Sequence, residues 1–359
     1  MTDVLTPAEA FSPGEYLRDE LEERGWTEKE FAEILGRPVQ MVSEILNGRK
    51  QIVTETALAL SEALGTSAEL WVNLQSTYDL HTAKSTRPLV TDVSRRSRLR
   101  ERVPVAELRQ RGWLPDTGDV EQLENAVREL LGTSDLNGEP SFALAARRSN
   151  PEASFTPQQI AWLSRLRWIA NKRKVAHFNA SDTLALANDL AHRIHDPTDL
   201  SDLEHWLADC GVALVTLLPL RSSKLDGAAM MLDNGTPAIG LTSRGDRMDS
   251  YLFTLFHELA HLHLGHLESD GVRADEDLIG SIEPTGLEAD ANFQATEWIF
   301  PNVPEIPQGR PPMRVILQIA GRCRVHPSLV IGRAQWQHDD WAYLRRSIPR
   351  VRPYIEAMS

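Results

Sequence analysis

The sequence predicts an α+β chain, mainly α, in which an all-helical N-terminal region precedes a second region holding a small mixed or antiparallel sheet. Three observations carry this. Residues 13–81 break into short amphipathic segments punctuated by Gly and Pro; runs with strand character, Gly211 to Pro219 and Gly227 to Thr242, come in the second half; and a long apolar helical stretch, Asp249 to His266, follows them. At 359 residues, 42% hydrophobic and 25% charged, the composition is that of a globular chain, and the length suits two or three domains. The divisions expected are 1–82, an all-α domain; 83–155, a basic connector that is part helical and part irregular; and 156–359, a mixed domain closed by a C-terminal helical cap. Two cysteines, Cys210 and Cys323, cannot build a disulfide framework or a cysteine-ligated metal cluster, which fits a reducing cytoplasm. The first residues lack a basic and apolar leader pattern, and no run of about 18 apolar residues occurs. A cytoplasmic protein with no membrane partner is expected.

The N-terminal helices follow from local punctuation. Gly14 to Arg24 carries Tyr16, Leu17 and Leu21 at helical spacing and stops at Gly25. Thr27 opens a capping box with Glu30, and the helix runs through Phe31, Ile34 and Leu35 to Gly36. Pro38 suits the first turn of a third helix that turns Val39, Val42, Ile45 and Leu46 inward and ends at Asn47-Gly48. Two more helices are expected at Thr54 to Leu64 and Ser67 to about Leu80. Helix, tight glycine turn, helix is the plan of a helix-turn-helix nucleic-acid reader, although short amphipathic helices also pack together with no such role.

The wording EILNGRKQIVTETALALSEALGTSAELWVNLQSTYDL resembles the XRE-type domain of HigA-like antitoxins over about the first 80 residues, most specifically at NGRK, TETALAL and WVNLQ. The resemblance implies that the third helix enters the major groove of double-stranded DNA, exposing Gln40, Ser43 and Glu44, with Asn47, Arg49 and Lys50 near the phosphates. It also implies a homodimer on a palindromic operator. Charge runs partly against this: residues 1–80 hold six basic against fifteen acidic side chains, a net of −9 within an overall −13. Residues 84–111 reverse the sign, with nine basic against three acidic side chains. That stretch is either a phosphate-attracting booster or a solvated linking helix.

Further on, a helix is expected at 119–131, another opening at Thr156-Pro157 through Trp162, Leu166 and Ile169, and a third from Ser181 to Ile194. Gly211 to Pro219 reads as a buried strand, and Gly227 to Thr242 as two strands around Asp233-Asn234-Gly235. The chemistry follows in DSYLFTLFHELAHLHLGH. His257 and His261, four apart, lie on one helical face where both imidazoles can reach one zinc ion, and Glu258 beside them can accept a proton from water.

A catalytic zinc takes three protein ligands and an open position, and two residues compete to be the third. His266 misses the long HExxHxxGxxH spacing by one, as does Gly265, and on a continuous helix His263 and His266 point away from the first pair. Glu288 opens a second apolar helix, EADANFQATEWIFP, that could carry a carboxylate to the metal. Asn292, one turn on, could bond a ligating histidine. The blocks FTLFHELAHLHLGH and EADANFQATEWIFP resemble the zinc-peptidase domain of the ImmA/IrrE family, with Gln294 where that family usually has Phe, and the resemblance spans roughly 200–340. It implies a zincin-like fold, Zn2+ held by His257, His261 and Glu288, Glu258 as catalytic base, and a repressor-like protein substrate cleaved in a stress response. Arg322, His326 and Arg333 are candidate oxyanion stabilisers. The expectation is therefore a transcriptional regulator with a zinc metalloendopeptidase domain. The competing reading is a HigA-like antitoxin or repressor, with or without a toxin partner, that uses the second domain as a sensor or protein-binding platform.

Overall fold

The computed structural model describes residues 11–86, 89–138, 140–143, 154–267, 272–276, 286–302 and 304–355. The chain forms two compact units, Met1–Arg95 and Arg96–Ser359. Among the described residues no helix is long and apolar enough to cross a membrane.

The first unit holds α1 (Pro13–Arg24), α2 (Glu28–Leu35), α3 (Val39–Leu46), α4 (Thr54–Leu64) and α5 (Ala68–Thr86). Local chemistry sets each boundary. Ser12 with Glu15 and Thr27 with Glu30 form reciprocal capping boxes, while Gly25 and Gly36 close α1 and α2 in the left-handed region that glycine enters without a Cβ penalty. Leu17, Phe31, Val42, Ile45, Leu60 and Trp71 share one buried cluster, and the Trp71 indole donates to Thr66 Oγ1 at 2.8 Å. Val39, expected inward, is 43% exposed at the first position of α3, whose buried residues are Val42, Ile45 and Leu46.

A fourteen-residue helix, α6 (Leu89–Arg102), runs across the division between the units. The second unit continues with α7 (Val105–Gln110), α8 (Val120–Leu131), α9 (Pro157–Ala170), α10 (Ala180–Arg193) and α11 (Leu203–Asp209). Then come β1 (Ala213–Leu217), β2 (Leu225–Met231), β3 (Pro237–Thr242), α12 (Met248–His263), β4 (Val272–Glu276), α13 (Leu287–Ile299), α14 (Met313–Cys323) and α15 (Pro327–His338). The sheet is mixed, in the order β1-β3-β2-β4, with β1 parallel to β3 and β2 antiparallel to both β3 and β4.

Strand alternation sorts the side chains into two cores. Ala213, Val215, Leu217, Ala228 and Met230 join Trp162 and Leu166 of α9 on one face; Leu214, Ala229, Ile239 and Leu241 join Leu252, Leu255 and Leu259 of α12 on the other. The stretch 83–155, expected as a connector, instead contributes to the first of these cores: Leu99, Leu108, Trp113, Leu123 and Val127 are buried there. Its arginines act within the fold as well. Arg102 donates to the carbonyls of Leu136 and Gly138, Arg109 to Thr117 and Arg111 to Leu218 and Pro219, at 2.6–3.0 Å. Charge that the sequence offers to phosphates or solvent is used here to bind backbone carbonyls.

Candidate metal centre and nucleic-acid interface

The metal centre is built on α12. One side of this helix packs against β2 and β3, and its start is fixed by Arg247, which bridges the Asp249 carboxylate and Gln335 of α15. Tyr251, one turn on, lies within 2.7 Å of Thr216 Oγ1 of β1, and burial pushes its phenol well above the usual tyrosine range. So anchored, α12 holds His257, Glu258 and His261 at 0% exposure. Charge-capable groups that far from water need partners.

For the two histidines those partners come from α13 and the turn after α12. His257 Nε2, His261 Nε2 and Glu288 Oε2 converge: the two nitrogens lie 3.0 Å apart, and the carboxylate oxygen is 3.2 Å from the first and 3.4 Å from the second. These three are the one group of metal-ligating side chains so clustered among the described residues. The spacing has a chemical meaning. Asn292 Oδ1 lies 2.9 Å from His257 Nδ1 and, as an acceptor, requires a hydrogen on that nitrogen, which leaves the Nε2 lone pair aimed at the carboxylate. Lone pairs converging on one point call for a cation between them. Without a cation the alternative is protonation of both rings at Nε2. Burial opposes ionisation of Glu288, but hydrogen bonds and charge from the protonated His257 and His261 would then outweigh it and hold the carboxyl well below the usual carboxylate range.

Each expected ligand, His257, His261 and Glu288, is thus brought together, with Asn292 behind His257. His266 is not where helical periodicity sends it. Helix α12 ends at His263, Gly265 takes φ +70°, and the chain turns so that His266 Nδ1 comes within 2.9 Å of His261 Nδ1. Helical periodicity holds only along a continuous helix, and α12 stops before His266. His326 caps α15 through Ser328 and Arg333 stacks over Trp336, so neither has a described contact with the cluster.

Gly227 of β2 is a site residue that the sequence reading did not single out. A Cβ there would come within 3.0 Å of Glu258 Oε1 and Thr254 Cγ2. The absent side chain therefore makes room for the Glu258 carboxylate between strand and helix. Gly227→Ala is expected to retain the metal, since no ligand is touched, while lowering stability by about 1–3 kcal/mol through overpacking and displacing Glu258. Thermal unfolding beside metal analysis checks this; a variant with the wild-type Tm would show that the carboxylate is not confined by the strand.

In the first unit, Gln40, Asn47, Arg49 and Lys50 are exposed and Ser43 is half-buried. Gln40 Nε2 donates to Glu44 Oε1 at 3.0 Å, and Asn47 Nδ2 donates to the Ser43 carbonyl at 2.7 Å. Other basic side chains nearby are engaged: Arg18 and Arg24 bond the carbonyls that end α3 and α4, and Arg37 pairs with Glu55. Arg49 and Lys50 have no such pairing among the described residues. The positive charge left to solvent beside α3 is therefore at the third helix's end, despite the acidic average.

This arrangement of α2, the Gly36 turn and α3 defines a helix-turn-helix domain, and the helix-turn-helix family matches residues 17–71. The chain is 33% identical over 87 residues to an uncharacterised HTH-type transcriptional regulator, YddM, of Escherichia coli K12, covering 24% of this chain and 88% of that protein. It is 34% identical over 91 residues to virulence-associated protein I of Dichelobacter nodosus, covering 23% and 84%. Among solved structures, an addiction module antidote protein of the HigA family from Coxiella burnetii is 38% identical, with 21% of this chain and 83% of that chain covered and a TM-score of 0.20. Through its first unit the chain belongs to the helix-turn-helix family of transcriptional regulators.

Proposed function

We propose that the chain is a DNA-binding regulator whose second unit is a zinc-dependent endopeptidase of the ImmA/IrrE type, acting on a regulatory protein such as a repressor or antitoxin. The observation that carries the enzymatic part is the convergence of His257 Nε2, His261 Nε2 and Glu288 Oε2 within 3.0–3.4 Å of one another. Ligand atoms about 2.0–2.1 Å from a tetrahedral zinc stand roughly 3.3–3.4 Å apart, so the donor set suits that ion in type and in spacing. Zinc supplies a Lewis acid that polarises a carbonyl and lowers the pKa of water toward about 7.

The rest of the chemistry belongs to the chain. Glu258, buried and confined by Gly227 and Thr254, takes the proton from the attacking water and returns it to the leaving amine. Asn292 keeps His257 oriented. A base in this position favours an enzyme over a platform, since binding a partner does not require one.

DNA binding rests on the family of the first unit and on the exposed Arg49 and Lys50 beside α3. The Gln40–Glu44 bond must open before Gln40 can read an adenine edge. Arg49→Ala with Lys50→Ala is expected to weaken operator binding and to flatten the log K against log salt plot by about one unit of slope per lost phosphate contact. Gel shifts across a salt series test this, and unchanged slopes would remove α3's end from the interface. A homodimer should protect two half-sites roughly one helical turn apart.

A further inference from the structure

We infer that His266 is a positioning residue that fixes the tautomer of His261 by accepting a hydrogen bond from it. The inference rests on the zinc reading above and deepens it. Two imidazole nitrogens 2.9 Å apart, His261 Nδ1 and His266 Nδ1, share one hydrogen. If His261 supplies it, its Nε2 is left with a lone pair facing His257 Nε2 and the Glu288 carboxylate. If His266 supplies it, the hydrogen of neutral His261 sits on Nε2, where it blocks ligation. The direction of this one bond decides whether His261 is a ligand.

The site repeats the device. Asn292 Oδ1 fixes His257 from α13, and His266 fixes His261 from the turn that Gly265 makes possible. Each ligating ring is held from behind by an acceptor on a separate piece of chain. The two acceptors are also interchangeable in shape: asparagine Oδ1 and histidine Nδ1 stand at the same bonded distance from Cβ. Asparagine at 266 can therefore accept the bond, whereas leucine, of similar size, cannot.

The test compares the wild type with His266→Leu and His266→Asn. Zinc affinity, read by chelator competition, is expected to fall about 10- to 100-fold in His266→Leu and to return to within a few-fold of wild type in His266→Asn. Histidine-15N spectra of the zinc-free proteins are expected to show the proton on His261 Nδ1 in the wild type and in His266→Asn, and its loss from Nδ1 in His266→Leu. Equal affinities in the Leu and Asn variants would reduce His266 to packing and overturn the inference, as would a bare His261 Nδ1 in the wild type. A loss in His266→Asn as large as that from removing Glu288 would make His266 a ligand and overturn it too. Should the wild type take up no zinc while His261 carries its proton on Nδ1, the zinc reading fails and the tautomer assignment stands.

Discussion

Glu258→Gln is expected to bind zinc as the wild type does and to cleave about 10²- to 10⁴-fold more slowly, the range over which a positioned acid–base group contributes. Both its oxygens are buried, Oε1 against Gly227, and neither is among the three converging donor atoms, so an amide of the same shape fits without emptying the centre. Single-turnover cleavage of repressors encoded near this gene, followed by mass spectrometry, reads the effect. Full activity in the variant would show that this carboxylate does not move the proton. A wild type that binds such a repressor without cutting it would instead favour the platform reading.

Glu288→Ala is expected to remove stoichiometric zinc, weakening it by about 10³-fold or more, because one of three protein ligands goes and two imidazoles are left with their lone pairs converging. Helix α13 packs through Ala291, Ala295, Trp298 and Ile299, none of which the substitution touches. The variant should therefore stay folded. Zinc content at saturating metal separates this from His266→Leu, in which zinc is held more weakly but not lost outright. Retention of zinc by Glu288→Ala would return the third position to a histidine.

Local signals were the legible part. The box at Thr27–Glu30, the helix start at Thr156-Pro157, the glycine stops at Gly25 and Gly36, and the hairpin closed by Gly235 are each decided within a few residues, and each was readable. The four-residue spacing of His257 and His261 is equally local. Glu288 needed its helix to be recognised, which the apolar positions of EADANFQATEWIFP allowed.

What stayed hidden depends on long-range packing or on a break in periodicity. Arg102, Arg109 and Arg111 counted as charge in the sequence, yet they bond carbonyls 8 to 108 residues away, which no charge count registers. Gly227 matters only because Glu258, from a different element, presses against it. His266 was projected along a helix that Gly265 had already ended. Strand β4 reads Val-Arg-Ala-Asp-Glu, with two acidic residues at its end and too few apolar positions to announce a strand.

The zinc content of purified wild-type protein, measured per chain by elemental analysis after dialysis against metal-free buffer, tests the central claim most directly. One zinc per chain is the expected result, from two histidines and a carboxylate whose donor atoms already lie 3.0–3.4 Å apart. A protein that stays folded, is given zinc, and retains none after dialysis would contradict the account.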